Sequence, residues 1–386
     1  MPDGRELASV RILSSISEIE AAAWNACAGG GNPFISHGFL AACEDSGSAV
    51  PKAGWLARHL VLEDSSGAVI AAAPLYAKSH SLGEYVFDQG WAQAYEQAGG
   101  QYYPKLLCGV PFTPVPGPRL LVRSGLEDKA QAERALAAGM IELARRHEIS
   151  SVHVNFIDEA QKPSFAEMGF LIRTGSQFHW TNRGYANFDD FLADLSSRKR
   201  KTLRKERAEA LKDGLSVRIA SGRDVREADW DAFFEFYMET GSRKWGRPYL
   251  TRDFFSLLQA AMPESIVLVL AERAGKAIAG ALNLKGADAL FGRYWGALEH
   301  HPFLHFELCY YQAIDYAIAH GLARVEAGAQ GEHKIQRGYL PVPTYSAHYI
   351  RDPGFREAVA NFLAHETPAV AAEMAGLSQL SPFKAR

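Results

Sequence analysis

A chain of 386 residues exceeds what one hydrophobic core fills, so two domains are the expectation. Its 47% hydrophobic and 22% charged residues are those of a globular protein, and a formal net charge of -3 excludes a surface given over wholly to nucleic acid while leaving local basic patches open. No apolar run in the sequence is long enough to cross a bilayer.

Residues 1–25 carry acidic groups throughout and lack the apolar middle of a signal peptide. The cysteines at 27, 43, 108 and 309 show neither metal-ligand spacing nor a disulfide framework, which points to a reduced, cytoplasmic protein. Trp24 lies in an amphipathic stretch, and in PFISHGFL (33–40) Ser36 stands where its oxygen can cap the following helix. LVLEDSSGAVIAAAPLY (60–76) reads as a hairpin, with Gly67 supplying the positive φ of a tight turn. The stretch 79–121 is dense in Gly, Pro and aromatic residues, the composition of a binding element rather than a spacer. A helix over 130–147, with Leu136, Met140 and Leu143 on one face, leads into a buried strand, SVHVNF (151–156).

SSRKRKTLRKER (196–207) sets seven positive residues against one glutamate, on a helix expected over 196–212. Trp230, the cap candidate Thr251 in PYLTRDFF (248–255), and a second hairpin, LVLAERAGKAIAGALNL (268–284), follow. In the strand LFGRYWGAL (290–298), alternation puts Arg293 and Trp295 on one face and Tyr294 on the other. An arginine inside an apolar strand requires a partner, either a ligand or Glu326 across the sheet. His300, His301, His305 and Glu307 do not follow zinc-site spacing, and no metal is expected. A helix over 305–320 is stopped by Gly321; the strand LARVEAG (322–328) then runs into GAQGEHKIQRGY (328–339).

The two halves repeat in order: helix, hairpin, helix, strand. The expected organisation is therefore a duplication, with domains at 1–185 (carrying the insertion 79–121) and 186–386, the second preceded by the basic helix. The fold class is α/β of α+β character, each domain a mixed twisted sheet flanked by helices.

That element order resembles the GNAT acyltransferase fold. Two such units in tandem are similar to the Fem-type aminoacyl transferases, which attach amino acids to peptidoglycan precursors. Through NPFISHGFL, GEYVFD, YYPKL, PFTPVPGPRLL and EHKIQRGY, the chain from about residue 32 to about 365 resembles the bacterial FemAB-like family of N-acyltransferases. The resemblance implies an acyl or aminoacyl group moved to an amine, with a peptidoglycan-type peptide as acceptor. It also implies no tightly bound cofactor, acyl-CoA or aminoacyl-tRNA serving as co-substrate. LEHHPFLHFEL lacks the glycines of the usual CoA loop and PFTPVPGPRLL is stiffened by prolines, which weakens CoA as donor.

In that fold the 328–339 loop borders the strand opening. Glu326 and Glu332 are then candidate bases, and His333 a base or hydrogen-bond donor. Lys334 and Arg337 are suited to a carboxylate or phosphate, and Arg293 to donor or substrate. Glu84, Asp88, Tyr103 and Lys105 suit an amine-bearing acceptor, and Arg119, near the first-half helix, an anion. Arg198, Lys199 and Arg200 offer contacts to tRNA, nucleotide phosphates or an acidic membrane surface. Each set also reads as structure: solvated loop charges, an ion pair at Arg337, loop-amide partners at Glu84 and Asp88, helix packing at Arg119, a solvated basic face. The active cleft is expected in the second half, with 79–121 covering it. The alternative is a non-catalytic degenerate pair that binds peptidoglycan-like peptides or another amine. Nothing in the sequence reports an oligomeric state.

Overall fold

A computed structural model describes residues 9–245, 248–328 and 331–384. The chain divides into two compact units, 1–175 with 343–370 and 176–342 with 371–386. A single cut at 185/186 therefore does not describe it; the segment 343–370 belongs with the first unit.

In the first unit, β1 (Ser9–Leu13), β2 (Trp55–Ala57), β3 (His59–Glu63), β4 (Val69–Ala73), β5 (Leu75–Lys78), β6 (Lys105–Cys108), β7 (Leu121–Val122), β8 (Ser151–Ile157) and the start of β9 (Leu171–Thr181) follow in order. The expected hairpin is β3/β4, with Leu60 opposite Ala73 and Leu62 opposite Ala71. Its turn is held by the Asp64 carboxylate, which accepts from the backbone of Ser66 and Ala68. Pro74 follows β4 and has no N–H to give a ladder. The strand divides there: β4 stays in a sheet ordered β1-β3-β4-β7, while β5 pairs with β2 and β6. β6 runs parallel to β8. The helix Lys129–Arg146 covers them, capped by Asp128 and burying Leu136, Met140 and Leu143 against Leu60, Ala71, Val152 and Val154.

The second unit continues with β10 (Leu215–Ser221), β11 (Ile266–Arg273), β12 (Lys276–Lys285), β13 (Ala289–Ala297), β14 (Arg324–Glu326) and the first residues of β15 (Leu340–Ile350). The strand order is β10-β11-β12-β13-β14 and then the end of β9. β11/β12 is the second expected hairpin, and β13 runs parallel to β14. Between them lies the helix Leu304–Ala319, interrupted by a π-turn at Glu307–Tyr311. Its residues Ala313, Ile314 and Ala317 share a core with Leu290 and Val325. Ser36 caps its helix as expected, by accepting from Phe39 N; Thr251 stands at the equivalent start without a side-chain cap bond. The rest of β15 pairs antiparallel with β8, Tyr345 opposite Ile157 through Ile350 opposite Ser151.

Strand pairing makes the repeat concrete. Ala71, Ala73 and Leu75 face the first unit's covering helix as Ala279, Ala281 and Asn283 face the second's. Leu106 opposite Val152 corresponds to Leu290 opposite Val325.

Candidate functional site: a strand opening in the second unit

β13 and β14 pair only from Ala289/Arg324 to Phe291/Glu326; β13 then continues to Ala297 while β14 ends. A bulge sets Gly292 opposite Asn283 and Tyr294 opposite Leu282, so Arg293 is the extra residue. This overrides simple alternation, and Arg293, Tyr294 and Trp295 all border the opening. The opening is a cavity of about 120 Å³ whose polar lining comes from Asn283, Arg293, His305 and Tyr310. Cys309 and Tyr310 reach it from the π-turn, a helix irregularity frequent at functional sites. A chamber of about 430 Å³ adjoins it, sharing Trp295 and His305 and lined further by His300, His301, Phe303 and Phe306.

The first unit's counterpart is packed. Where the second unit has Asn283, Gly292 and Ala327 at the cavity, strand pairing places Leu75, Cys108 and Val154, all core residues. The segment 109–120 interrupts the strand that would correspond to β13, and Gly117 bridges to Ile157 at the end of β8. Arg119, fully buried, fixes this loop by donating to the carbonyls of Val115, Gly117, Pro118 and Asn155. Its donors are therefore committed to backbone oxygens, and the expected anion contact is not what it makes.

The charged residues between 326 and 337 divide into two groups. Glu326 is buried; its Oε1 accepts from Arg324 Nε at 2.9 Å, while Oε2 accepts no hydrogen bond among the described residues. Burial pushes its carboxyl up to about 7, against the opposing Arg324 charge. Its neighbour Ala327 lines the cavity, and a Cβ at Gly292 would meet the Glu326 carbonyl oxygen at 3.5 Å. His333 is exposed, and its Nε2 lies 3.0 Å from the hydroxyl of Tyr310, which does line the cavity. Glu332 is exposed, and none of Glu326, Glu332 and His333 lines the cavity directly; Glu326 adjoins it through Ala327 and His333 through Tyr310. Lys334 donates to the carbonyls of Ala327 (2.5 Å) and Gly328 (3.3 Å), and burial lowers it to about 8. Arg337 donates to Glu206 (2.8 Å) and to the His333 carbonyl (2.7 Å), its guanidinium 3.4 Å from the Phe306 ring. These two cations shape the loop and are not presented to a ligand, because each found a protein acceptor at bonding distance. Glu326 pairs with Arg324 rather than Arg293, whose guanidinium lies 5.2 Å over Tyr294. His179, whose Nε2 lies 3.7 Å from Glu326 Oε2, carries no motif that would single it out in the sequence; burial lowers it to about 3, so it is neutral.

Residues 79–121 lie within the first unit and build a buried polar cluster of its own. Lys105 Nζ donates to Ser81 Oγ (2.7 Å), Glu84 Oε2 (2.7 Å) and Asp88. Tyr102 also donates to Asp88, and Tyr103 meets Ser81 at 2.8 Å. His153, at the position corresponding to Glu326, lies 2.7 Å from His348, Nδ1 to Nδ1. Burial pushes Glu84 up to about 7, opposed by Lys105, and pushes Lys78 down to about 7; Asp88, despite its burial, is held well below the usual range by Lys105. Between pH 4.5 and 7 the folded protein therefore holds a proton on Glu84 that the unfolded chain has released, and stability falls as pH rises. Glu84→Gln is expected to remove that component when urea unfolding is compared at pH 5 and pH 7. Identical slopes in both proteins would mean Glu84 is ionised throughout.

On the basic helix Ser197–Ala210, Arg207 donates to the buried Glu307 and Lys199 to Gln336, while Arg198, Lys201, Arg204 and Lys205 are exposed. Arg200 is half-buried, and Arg204 pairs with Asp189. Among the described residues no helix is long and apolar enough to cross a membrane.

Hairpin, covering helix and parallel strand recur in both units, with a strand opening in the second, and this is the tandem arrangement of the GNAT fold. The chain belongs to the FemAB-like family, described as peptidoglycan biosynthesis/recognition, which it matches over residues 15–385. Among solved structures it is similar to FemX, at 13% identity over 91% of this chain and 100% of that one, with a TM-score of 0.56. It is likewise similar to L-PGS from Bacillus licheniformis, at 10% identity over 84% and 95% of the two chains, with a TM-score of 0.51. No curated protein matches it.

Proposed function

We propose that the protein is an N-acyltransferase whose second unit takes a small aminoacyl group from the terminal adenosine of an aminoacyl-tRNA and passes it to the amine of a peptidoglycan-type peptide. The observation carrying this reading is the unequal fate of the two strand openings, packed by Leu75, Cys108 and Val154 in one unit and open beside Asn283, Gly292 and Ala327 in the other. A cavity of about 150 Å³ takes benzene, so the 120 Å³ space suits a group of only a few heavy atoms. The ring-lined 430 Å³ chamber directly beside it suits a nucleoside. Such adjacency favours an ester on adenosine over a CoA thioester, whose adenine is separated from its acyl group by the pantetheine arm.

In this reading Glu326 takes a proton from the attacking amine, the C–N bond forms, and the ester C–O bond breaks. The leaving oxygen receives a proton from Tyr310, which His333 resupplies. Support for the base role comes from the Glu326 carboxyl at about 7, well matched to general-base work, and support for the proton relay from the 3.0 Å contact between Tyr310 and His333. The exposed cations Arg198, Lys201, Arg204 and Lys205 would meet tRNA phosphates. A cytoplasmic site of action follows from that donor.

The test is product formation on a muropeptide with alanyl-tRNA against acetyl-CoA. Alanyl-tRNA is expected to be the donor used. Charge reversal at Arg198, Lys201 and Lys205 is expected to flatten the salt dependence of log KM for tRNA by about 0.7–0.9 for each phosphate no longer neutralised. Product from acetyl-CoA and none from alanyl-tRNA would replace the donor assignment.

A further inference from the structure

Asn283 is the one strongly polar side chain in the interior of β12, set among Ala281, Leu282 and Leu284. It is 1% exposed, lines the 120 Å³ cavity, and its Oδ1 has no hydrogen-bond partner among the described residues. Its Nδ2 lies 3.5 Å from the Val267 carbonyl and 3.4 Å from that of Ala281. Those neighbours are acceptors, so they fix the amide with its NH2 towards them and its oxygen away. Leaving a buried carbonyl oxygen unpaired costs free energy, and a site retaining one favours a ligand that brings a donor. Gly292 keeps this oxygen accessible: a Cβ there would sit 3.5 Å from Oδ1. In the packed first unit the corresponding position is Leu75, fully buried in the core. The fold thus accepts leucine at this place, and the amide is found where the cavity is.

We infer that Asn283 is a specificity-determining residue, whose Oδ1 receives an N–H carried by the small acyl group next to its carbonyl. This rests on reading the cavity as the acyl-group site, but not on which carrier delivers the group. Acyl groups with an amino substituent are then selected over isosteres bearing methyl in its place, because only the former satisfy the oxygen.

The test uses L-alanine methyl ester and methyl isobutyrate, which differ by amino against methyl, titrated by NMR into the full-length protein. The wild type is expected to bind the amino ester roughly tenfold or more tightly, the effect of one buried hydrogen bond. Asn283→Leu is expected to bring the ratio near one without weakening methyl isobutyrate, and Gly292→Ala to weaken the amino ester selectively. Equal binding in the wild type, no binding of either ester, or a preference surviving in Asn283→Leu would each overturn the assignment. A preference that holds while alanyl-tRNA fails as donor would support Asn283 and refute only the choice of carrier.

Discussion

Glu326→Gln is expected to lower kcat by about 10²–10⁴-fold, the range for loss of a general base, while the protein remains folded. The wild-type rate should rise with pH through about 7 and then level, because the carboxylate must be free of its proton to accept another. In the glutamine variant the inflection should vanish along with the rate. The stability sign is the opposite one. Between pH 4.5 and 7 the folded state holds a proton that the unfolded state lacks, so wild-type stability declines over this window and the variant's declines less. Undiminished kcat, measured with the donor that supports turnover, would remove Glu326 from the chemistry.

Lys105→Met carries the largest expected stability cost. Lys105 is 0% exposed and is the cation bonded to both Glu84 and Asp88. Removing one member of a buried ion group strands the other charges in a poor solvent, at about 3–5 kcal/mol. Chemical unfolding should show that loss. Adding Glu84→Gln and Asp88→Asn should recover most of it, since neutral amides no longer need the ammonium. A loss under about 1 kcal/mol would indicate a cluster solvated like a surface pair.

Much of the fold is legible in the sequence because local chemistry dictates it. Gly67 and Gly275 mark both hairpins, and the Leu136, Met140, Leu143 stripe marks the covering helix. The ungapped match of 60–76 to 268–284 nevertheless slips by one residue in its first strand. Leu60 faces Ala73 and the corresponding residue facing Ala281 is Val269, a difference absorbed where the first hairpin closes at Glu63/Val69 and the second at Arg273/Lys276. The site is half legible for a related reason. Charge singles out Lys334, Arg337 and Arg119 as ligand contacts, but charge cannot say whether a backbone carbonyl or a carboxylate has already been found nearby. The reverse error hides Asn283: a single amide in an apolar strand is the available signal, and its meaning depends on Gly292 and Ala327 leaving room beside it.

Because β15 and the residues up to 370 complete the first unit, that unit finishes late during synthesis. About 180 residues separate β8 from the strand that pairs beside it, an interval on the order of 10–40 s at ordinary translation speeds. Throughout, the nascent chain must carry an unpartnered β8 edge and the apolar positions that later receive Ala347 and Ile350. Truncation after the amino-terminal half should therefore yield an aggregation-prone fragment rather than an independent domain, and chaperone dependence should rise with slower elongation.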